Sequence, residues 1–478
     1  MSDKVKLFYR GIKTEKERQD FLNPSYDNHT HDPFLLKDCE KAVDRILKAI
    51  NDNEKIVIYS DYDTDGIPAG VCMHDTFKKI GYTNFINYIP HRHDEGFGLN
   101  VGAIKDFKEQ GVDLIITLDC GIADIEPVSL AKESGIDVII TDHHIPGKII
   151  PDAYAIVNPK QEQCNYPEKM LCGSGVGYKV IQGILKKKDF GIKLGWEKWL
   201  LDMVGIATLS DMVPLVGENR VFAYYGLQVL RKSPRKGLVR LLNLLKSDQR
   251  YLTEDDIGFT IGPRINAASR MGVPMDAFKL LSTDSDDEAH ILAKNLDHIN
   301  NERKGTVASL VKETKKKIIE RYGEKPDGVI VIGNPDWKPS LLGLAANVFA
   351  EEFSCPVFLW GRDGDGIIKG SCRAAGSVHL LDLMNAVNKN TFLQFGGHAE
   401  SGGFAISNEG IHHVEEKLNE AYKIVKSLEK ENIQYIDREL EIQDVNWKTY
   451  NSIEKLAPFG IGNPKPSFIF KNISISGI

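Results

Sequence analysis

The chain has 478 residues, of which 42% are hydrophobic and 27% are charged, and its formal net charge is −7. This length exceeds what one hydrophobic core usually serves, so more than one domain is expected. The composition is that of an ordinary folded protein, and no apolar run suits a signal peptide or a membrane span.

The cysteines and charges limit the class of protein further. Seven cysteines are scattered without a Cys-x-x-Cys pair, which argues against a zinc site or a disulfide framework and fits the reducing cytoplasm. The acidic balance does not by itself indicate nucleic-acid binding, although an acidic metal site would supply part of it. Basic clusters lie at 186–188, 231–240 and 315–317. Each is expected to be a solvated helix face. If one of them instead binds the phosphates of a nucleic acid, 231–240 is the best candidate.

In chain order, the first 30 residues are polar and lack a clear periodic pattern. Residues 34–52 form an amphipathic pattern typical of an entry helix. From 54 to 210, apolar strand-like runs alternate with helical patterns, which predicts a doubly wound α/β domain with a parallel sheet. The glycine-rich run at 172–179 fits neither a dinucleotide fingerprint nor a P-loop, so it is predicted to be a close-packed helix start.

A long helical pattern covers 287–321 and is interrupted at Gly305 and Thr306. A helix there would separate two domains. A second α/β unit begins near 328–332 and contains the glycine-rich run 395–403, in which two glycines precede His398. Paired glycines usually form only a turn, but they also let the backbone approach a ligand closely.

Three acidic clusters directly follow three of the strand-like runs. They are Asp61-Tyr-Asp63-Thr-Asp65, Asp119-Cys-Gly121 and Asp142-His143-His144. Because the carboxyl ends of parallel strands meet at one crevice, the clusters are expected to gather there. A single aspartate after a strand is a turn residue or a helix cap about as often as it is a metal ligand. An isolated His-His pair is more often structural than metal-binding.

The joint pattern favours a site for divalent metal and phosphate chemistry. Asp63 and Asp65 alternate along the chain, so an extended backbone would point both to one side. His143 follows Asp142, which could orient its ring.

These motifs resemble those of the DHH phosphoesterase family. The first motif is matched by 61–66, the second by Asp119, the third by Asp142-His143-His144, and the fourth by 210–220, which includes Asp211. The resemblance runs from residue 30 or so to the last residue. Its later segments are similar to those of the single-strand-specific exonucleases of this family: 262–270, 337–343, 371–373, 396–398 and 458–464.

The resemblance implies an α/β fold with a doubly wound parallel-sheet DHH domain, a long linker helix, a second, smaller α/β DHH-associated domain and a partial OB-fold at the C-terminus. The implied ranges are 1–53 for the N-terminal segment with its entry helix, 54–286 for the DHH domain with a helical extension, and 287–322 for the linker helix. The DHH-associated domain is implied at 323–434 and the partial OB-fold at 435–478. The sequence stops before a five-stranded barrel could close, so poor grip on long strands and low processivity are expected.

The implied activity is hydrolysis of single-stranded DNA from its 5′ end, in DNA repair and recombination. Two Mn²⁺ or Mg²⁺ ions are implied as cofactors, because a carboxylate-rich site with one imidazole suits these ions better than zinc. Asp63 and Asp119 would hold one ion, and Asp65, Asp119, His143 and Asp211 would hold the other, with Asp119 bridging them.

Other residues of the motifs receive roles from the same resemblance. Asp142 would orient His143, and His144 would contact phosphate and donate to the leaving oxygen. Tyr59 stands where the family often has a histidine, so the first ion is expected to bind more weakly.

Reading a strand end calls for arginine, because a guanidinium pairs with two phosphate oxygens. The resemblance offers Arg92, Arg264 and Arg270 for this role, and a surface ion pair is the ordinary alternative for each. The further substrate contacts that it implies are Asn266, Ser371, Arg373, Gly397 and His398. The implied partners are single-stranded DNA, a single-strand-binding protein and a helicase; a monomer without membrane attachment is expected.

Two other functions remain open from the sequence. One is a DHH-family phosphodiesterase that acts on cyclic dinucleotides or short oligonucleotides, against which the segment 212–322 and the OB-like tail argue. The other is a non-catalytic single-strand-binding scaffold, against which the retained aspartates and His143 argue.

Overall fold

The computed structural model describes residues 10–92, 94–362, 366–376, 378–387, 391–397, 399–426 and 436–474. The chain divides into two compact units. The first comprises Met1–Ile299 together with Tyr435–Ile478, and the second comprises Asn300–Gln434. Among the described residues, no helix has both the length and the apolar character needed to cross a membrane.

The first unit is built on a parallel sheet whose strand order is β2-β1-β3-β4-β5. Its strands are β1 (Ile56–Ser60), β2 (Phe85–Tyr88), β3 (Leu114–Leu118), β4 (Asp137–Thr141) and β5 (Ala155–Val157). Successive side chains enter opposite cores: Ile58 and Ile116 belong to one, and Val57 and Ile115 to the other. Burial on both faces explains why these strands are continuous apolar runs.

The helices of this part of the first unit are α1 (Glu15–Leu22), α2 (Tyr26–His29), α3 (Cys39–Asp52), α4 (Gly66–Lys79), α5 (Val101–Glu109), α6 (Ile125–Glu133), α7 (Gly173–Lys187), α8 (Leu201–Ser210), α9 (Gly217–Leu230), α10 (Lys236–Leu244), α11 (Glu254–Asp256), α12 (Gly262–Met271) and α13 (Pro274–Ser282). Helices α3, α4 and α7 cover one face of the sheet, and α5 and α6 cover the other. A π-helical turn at Ile257–Ile261 joins α11 to α12. The predicted doubly wound arrangement is confirmed.

Two local predictions near the N-terminus need adjustment. The entry helix begins at Cys39 rather than residue 34, because Asp38 adopts a left-handed conformation with φ of 60°. Residues 15–29, for which no pattern was evident, form α1 and α2, and Thr14 and Glu17 form a capping box at the start of α1.

The predicted long helix is confirmed as α14 (Asp286–Tyr322), which is continuous through Gly305 and Thr306, where the apolar pattern is interrupted. A single glycine costs a helix about 1 kcal/mol relative to alanine, which a helix of this length can tolerate. The division between the two compact units falls within this helix, after Ile299.

The second unit has a mixed sheet with the order β6-β7-β8-β10-β9. Its strands are β6 (Ile330–Gly333), β7 (Val357–Arg362), β8 (Ile368–Arg373), β9 (Gln394–Gly397) and β10 (Ser401–Ile406), and its helices are α15 (Pro339–Phe353), α16 (Leu380–Ala386) and α17 (Val414–Lys426). The glycine-rich run 395–403 therefore lies mainly on the antiparallel pair β9 and β10.

The tail contains helix α18 (Trp447–Glu454) and a short parallel pair, β11 (Arg438–Glu439) and β12 (Phe468–Ile469). It is fastened to the rest of the first unit by Arg220, whose guanidinium donates to the carbonyls of Phe21 (2.7 Å) and Ala457 (3.1 Å). This residue of the fourth motif is therefore structural.

Candidate metal centre

The acidic clusters meet at the carboxyl edge of the parallel sheet, around the point where the chain reverses its strand order between β1 and β3. Each cluster is tied to the neighbouring strand end. The backbone N–H of Asp61 donates to Leu118 (3.1 Å), and that of Asp119 donates to Thr141 (2.9 Å). Asp119 has φ of 64°, a conformation that costs energy outside glycine and is typical of functional positions.

The loop after β1 is ordered by its own aspartates. Oδ1 of Asp63 accepts from the backbone N–H groups of Asp65 (2.7 Å) and Gly66 (3.0 Å). The carboxylate of Asp65 accepts from the N–H groups of Gly173 (2.6 Å) and Ser174 (2.7 Å) at the start of α7. A helix N-terminus favours negative charge, so the glycine-rich segment, confirmed as a close-packed helix start, also fixes Asp65.

Candidate ligand atoms fall into three overlapping groups within 4.8 Å: Asp61 with Asp63 and Asp119; Asp65 with His143 and Asp211; and Asp119 with His143 and His144. Nε2 of His143 lies 3.2 Å from Oδ1 of Asp119, and its Nδ1 lies 3.7 Å from Oδ2 of Asp211. The five residues predicted as metal ligands are thus brought together. Asp119 belongs to two of the groups, as a bridging ligand would.

Asp61 is a candidate ligand that the sequence analysis missed. The alternation of Asp63 with Asp65 does not include it, although Asp61 follows β1 directly, as Asp119 follows β3. That position immediately after a strand is the signal that could have found it.

Burial and mutual repulsion dominate the electrostatics of this cluster. Burial, followed by the charges of Asp65 and Asp63, raises the pKa of Asp119 well above its usual range. Burial and the charge of Asp63 raise the pKa of Asp65 to about 6, although hydrogen bonds from α7 oppose the shift. The same causes raise the pKa of Asp61. Such a cluster is suited to a bound cation, which would remove the repulsion.

The donor set fits divalent ions. Among the described residues, Oδ1 of Asp61 and Oδ1 of Asp119 are buried and accept no hydrogen bond, so each retains lone pairs for a ligand. Carboxylate oxygens with one imidazole are ligands that Mn²⁺ and Mg²⁺ accept.

Asp142 orients His144 rather than His143, which corrects the predicted role. Its Oδ1 lies 2.7 Å from Nδ1 of His144 and also accepts from the backbone N–H groups of both histidines. Burial alone would lower the pKa of His144, but the hydrogen bond and charge of Asp142 outweigh it and raise that pKa. Asp142 therefore favours a charged imidazolium at His144.

Tyr59 takes no part in the ligand groups found among the described residues. Its hydroxyl donates to the carbonyl of Gly98 (2.7 Å), and its ring stacks on Tyr88 with centroids 5.2 Å apart. Tyr59, at the sequence position where the family often has a histidine, is therefore a core residue.

Arg92 and an exposed aromatic ring lie beside the cluster. The guanidinium of Arg92 lies 4.9 Å from the ring centroid of Tyr62, and its charge acts on Asp61. The charge of Arg270 also acts on Tyr62. Phe97 is 50% exposed, and its centroid lies 5.6 Å from that of His144. Phe97 is not among the site residues predicted from the sequence, although it follows Arg92 in the same loop.

Arg264 is committed to the protein. Its Nε and Nη2 donate to Oδ1 of Asp297 (2.9 and 2.8 Å), and its Nη1 donates to the carbonyl of Thr260 (2.7 Å). Arg264 is buried, so its role is better described as an ion pair within the protein than as a phosphate contact. Asn266, on the same helix, is half-buried.

The three arginines of the 231–240 cluster are likewise committed to contacts within the protein. Arg235 is paired with Asp75 (2.7 Å) and Asp202 (2.8 Å), and Arg231 donates twice to the carbonyl of Leu252. Arg240 is paired with Asp286.

In the second unit, Ser371 and Arg373 lie beside the start of α15. A Cβ on Gly343 would lie 2.7 Å from Nη2 of Arg373 and 3.0 Å from Oγ of Ser371. Only glycine leaves room there for both side chains. Gly397 has φ of 146°, and His398 lies outside the described residues.

Comparisons with known proteins agree with this architecture. Residues 55–208 match the DHH family, N-terminal domain; 326–431 match the DHHA1 domain; and 436–478 match the RecJ OB domain. A single-stranded-DNA-specific exonuclease RecJ from Haemophilus influenzae is 32% identical over an alignment of 451 residues that covers 91% of this chain and 78% of that protein. The chain belongs to the RecJ family.

Another RecJ, from Bacillus subtilis (strain 168), is 35% identical over 477 residues, 99% of this chain and 59% of that protein. An exonuclease RecJ structure with bound manganese matches with a TM-score of 0.68 and 27% identity, covering 81% of this chain and 95% of that one. RecJ from Thermus thermophilus with Mn²⁺ has a TM-score of 0.81 at 24% identity, covering 98% of this chain and 65% of that one. The chain thus spans less than two thirds of the Bacillus and Thermus proteins. The predicted family and fold class are confirmed.

Proposed function

We propose that this chain is a metal-dependent, single-strand-specific DNA exonuclease that hydrolyses phosphodiester bonds from the 5′ end, in DNA repair and recombination. The observation that carries the proposal is the convergence of Asp61, Asp63, Asp65, Asp119 and Asp211 with His143 at one edge of the sheet. The RecJ relatives, named as single-stranded-DNA-specific exonucleases, supply the substrate class.

Two divalent ions, Mn²⁺ or Mg²⁺, would be held by these residues, with Asp119 shared. When bound, such ions supply an activated water and offset charge on the phosphate oxygens. The RecJ structures solved with manganese and with Mg²⁺ support this choice. The chain's own contribution is a rigid ligand set, in which α7 holds Asp65 and the β4 end holds Asp119.

His144 is assigned to the phosphate. As an imidazolium held by Asp142, it can donate a hydrogen bond to a phosphate oxygen and a proton to the departing 3′ oxygen. The hydrogen bond and charge of Asp142, which outweigh burial and raise the pKa of His144, favour this protonated form.

Strand-end recognition is assigned to Arg92, with Arg270 as the second candidate. Both charges act on the Tyr62 side chain beside the cluster. Phe97 offers an exposed face on which the terminal base can stack. Ser371, Arg373 and Gly397 are proposed as further phosphate contacts from the second unit, and His398 keeps that assignment from the sequence alone.

The test uses single strands labelled at the 5′ or the 3′ end, incubated with Mn²⁺. We expect early release of the 5′ label as mononucleotide, a 3′ label that stays on long fragments, and little cleavage of a blunt duplex. Asp119→Ala should abolish hydrolysis, and Asp152→Ala, an exposed aspartate paired with Lys132, should not. Faster cleavage of a cyclic dinucleotide than of any single strand would overturn the proposal in favour of a small-molecule phosphodiesterase.

We further propose a cytoplasmic monomer that works with a single-strand-binding protein and a helicase. The support is the resemblance to RecJ exonucleases together with the buried, unpaired state of the cysteines among the described residues. Sedimentation of the purified chain tests the monomer, and co-purification from cells tests the two partners.

A further inference from the structure

Lys160 lies three residues beyond β5 and has no role in the function proposed above. β5 is the outermost strand on one side of the parallel sheet, and β2 is outermost on the other. Arg92 follows β2, and between these two strands Asp61, Asp63 and Asp65 follow β1 and Asp119 follows β3. Strands are spaced about 4.8 Å apart, so four intervals place the ends of β2 and β5 about 19 Å apart.

The loop that carries Lys160 is fixed to the segment that carries His144. The buried Asn158 donates through Nδ2 to the carbonyl of His144 (2.9 Å) and accepts at Oδ1 from the backbone N–H of Lys160 (2.8 Å). Nε2 of Gln161 donates to the carbonyl of Ile156 (2.5 Å). The backbone at Lys160 is therefore held in place relative to the metal centre.

The Lys160 side chain is half-buried, and the charges of Asp211 and Asp142 act on its ammonium. Burial lowers its pKa, and the carboxylates that oppose this shift are Asp211 and Asp142. No ion pair involving Lys160 is formed among the described residues, in contrast to the paired lysines at 186 and 187. A half-buried cation near the metal centre, without a carboxylate in contact, retains its donors for an anion from solution.

We propose that Lys160 binds a backbone phosphate of the single strand, on the opposite side of the metal centre from Arg92. With the 5′ end at Arg92, this phosphate lies downstream of the bond that is cut. The inference rests on the proposed function, because it places the strand across the same edge of the sheet. It adds a phosphate contact that would hold the remaining strand after each cleavage.

The test is binding of a short 5′-phosphorylated oligonucleotide, followed by fluorescence anisotropy in the non-hydrolysing Asp119→Ala background. Adding Lys160→Met should weaken binding about 10-fold, the worth of one charge-assisted hydrogen bond. Lys160→Arg should retain most of the affinity. The matched control is Lys132→Met, which removes the same charge from the end of α6, where Lys132 is paired with Asp152.

A linkage scan identifies the contacted phosphate. Oligonucleotides with one neutral methylphosphonate, placed at each of the first several linkages in turn, are bound to the parent and to the Lys160→Met protein. We expect one internal linkage at which the neutral group weakens the parent but leaves the Lys160→Met protein unchanged. Equal losses for both proteins at every linkage would overturn the inference.

A structural role for Lys160 gives a different result. If Lys160 only offsets the charges of Asp211 and Asp142, the loss in Lys160→Met would disappear in excess Mn²⁺, and this would also overturn the inference. Failure of the proposed function is separate: it would appear as absence of strand hydrolysis by the unaltered chain, whatever the result at Lys160.

Discussion

At the scale of single residues, neighbours in sequence have different functions because their side chains meet different partners. His143 lies against Asp119 and Asp211, whereas His144 pairs with Asp142. Burial alone would raise the pKa of Asp142, but the hydrogen bond and charge of His144 outweigh it and lower that pKa. The pair therefore favours an aspartate with an imidazolium.

Replacing Asp142 by Asn tests this assignment. Asparagine keeps the size of the side chain but removes the charge that stabilises the imidazolium, so the pKa of His144 should fall. We expect kcat to drop by about 10²- to 10⁴-fold, the usual worth of general acid–base catalysis, with a pH–rate profile displaced toward lower pH. Metal affinity should change little. A profile of unchanged shape, with the loss confined to Mn²⁺ affinity, would instead assign Asp142 to His143 and the metal.

A glycine sets the room around the bridging carboxylate. A Cβ on Gly173 would lie 2.4 Å from Oδ1 of Asp119, whereas a Cβ on Gly175 has no neighbour closer than 3.5 Å. Gly173→Ala should therefore displace Asp119 and weaken Mn²⁺ binding at least 10-fold, and Gly175→Ala should leave it near the parent value. Calorimetric titration with Mn²⁺ measures both, and equal affinities would show that the site accommodates the methyl group.

At the scale of elements, the packing of helices decides where the ligands stand. Helix α8 ends at Ser210, and Asp211 follows it directly. Its position depends on a close crossing with α9, because a Cβ on Gly226 would lie 2.5 Å from the Cα of Gly205. A change in the distance between these two helices would therefore displace the candidate metal ligand Asp211.

Two glycine-to-alanine changes in different helices should change the free energy of unfolding in opposite directions. Gly205→Ala forces α8 and α9 apart and should destabilise the first unit by about 1–3 kcal/mol. Gly305→Ala, at an exposed position of α14 with nothing within 4 Å, should stabilise its helix by about 0.5–1 kcal/mol. Urea unfolding followed by circular dichroism compares the midpoints. A lower midpoint for Gly305→Ala would mean that α14 bends at that glycine in solution.

At the scale of the whole molecule, the acidic cluster links folding to pH and to metal. Burial first, and neighbouring carboxylates second, raise the pKa of Asp65 to about 6 and raise that of Asp211. A carboxyl group with a raised pKa binds its proton more tightly in the folded chain than in the unfolded one. Its stabilising contribution is full below the pKa of the unfolded chain, near 4, and is lost as pH rises through the folded pKa.

The metal-free protein should therefore lose stability from this cluster as pH rises from about 4 to 7. Mn²⁺ should restore it, with a gain in Tm that grows with pH because the ion competes with protons for the same oxygens. Thermal unfolding in EDTA and in Mn²⁺ at several pH values measures this effect. The control is Asp65→Asn, which should flatten the pH dependence in EDTA; a slope equal to that of the parent would remove Asp65 from the linkage.

Sequence alone predicted the parallel sheet, the long helix and the place of the metal centre. The continuous apolar runs at β1, β3 and β4 reflect burial on both faces, and the residues after parallel strands necessarily share one edge. These features depend on local periodicity and on topology, both of which are written in consecutive residues. Similarity of motifs then supplied the ligand set, which the structure brings together.

Only the tertiary structure decided which partner each polar side chain has. Asp142 pairs with His144, Arg264 with Asp297, and Arg235 with Asp75 and Asp202, while Asp61 joins the ligand groups. A hydrogen bond requires its atoms to lie within about 3 Å of each other and to be correctly aligned. Such placement between residues far apart in sequence follows from the packing of whole elements, which no local pattern specifies.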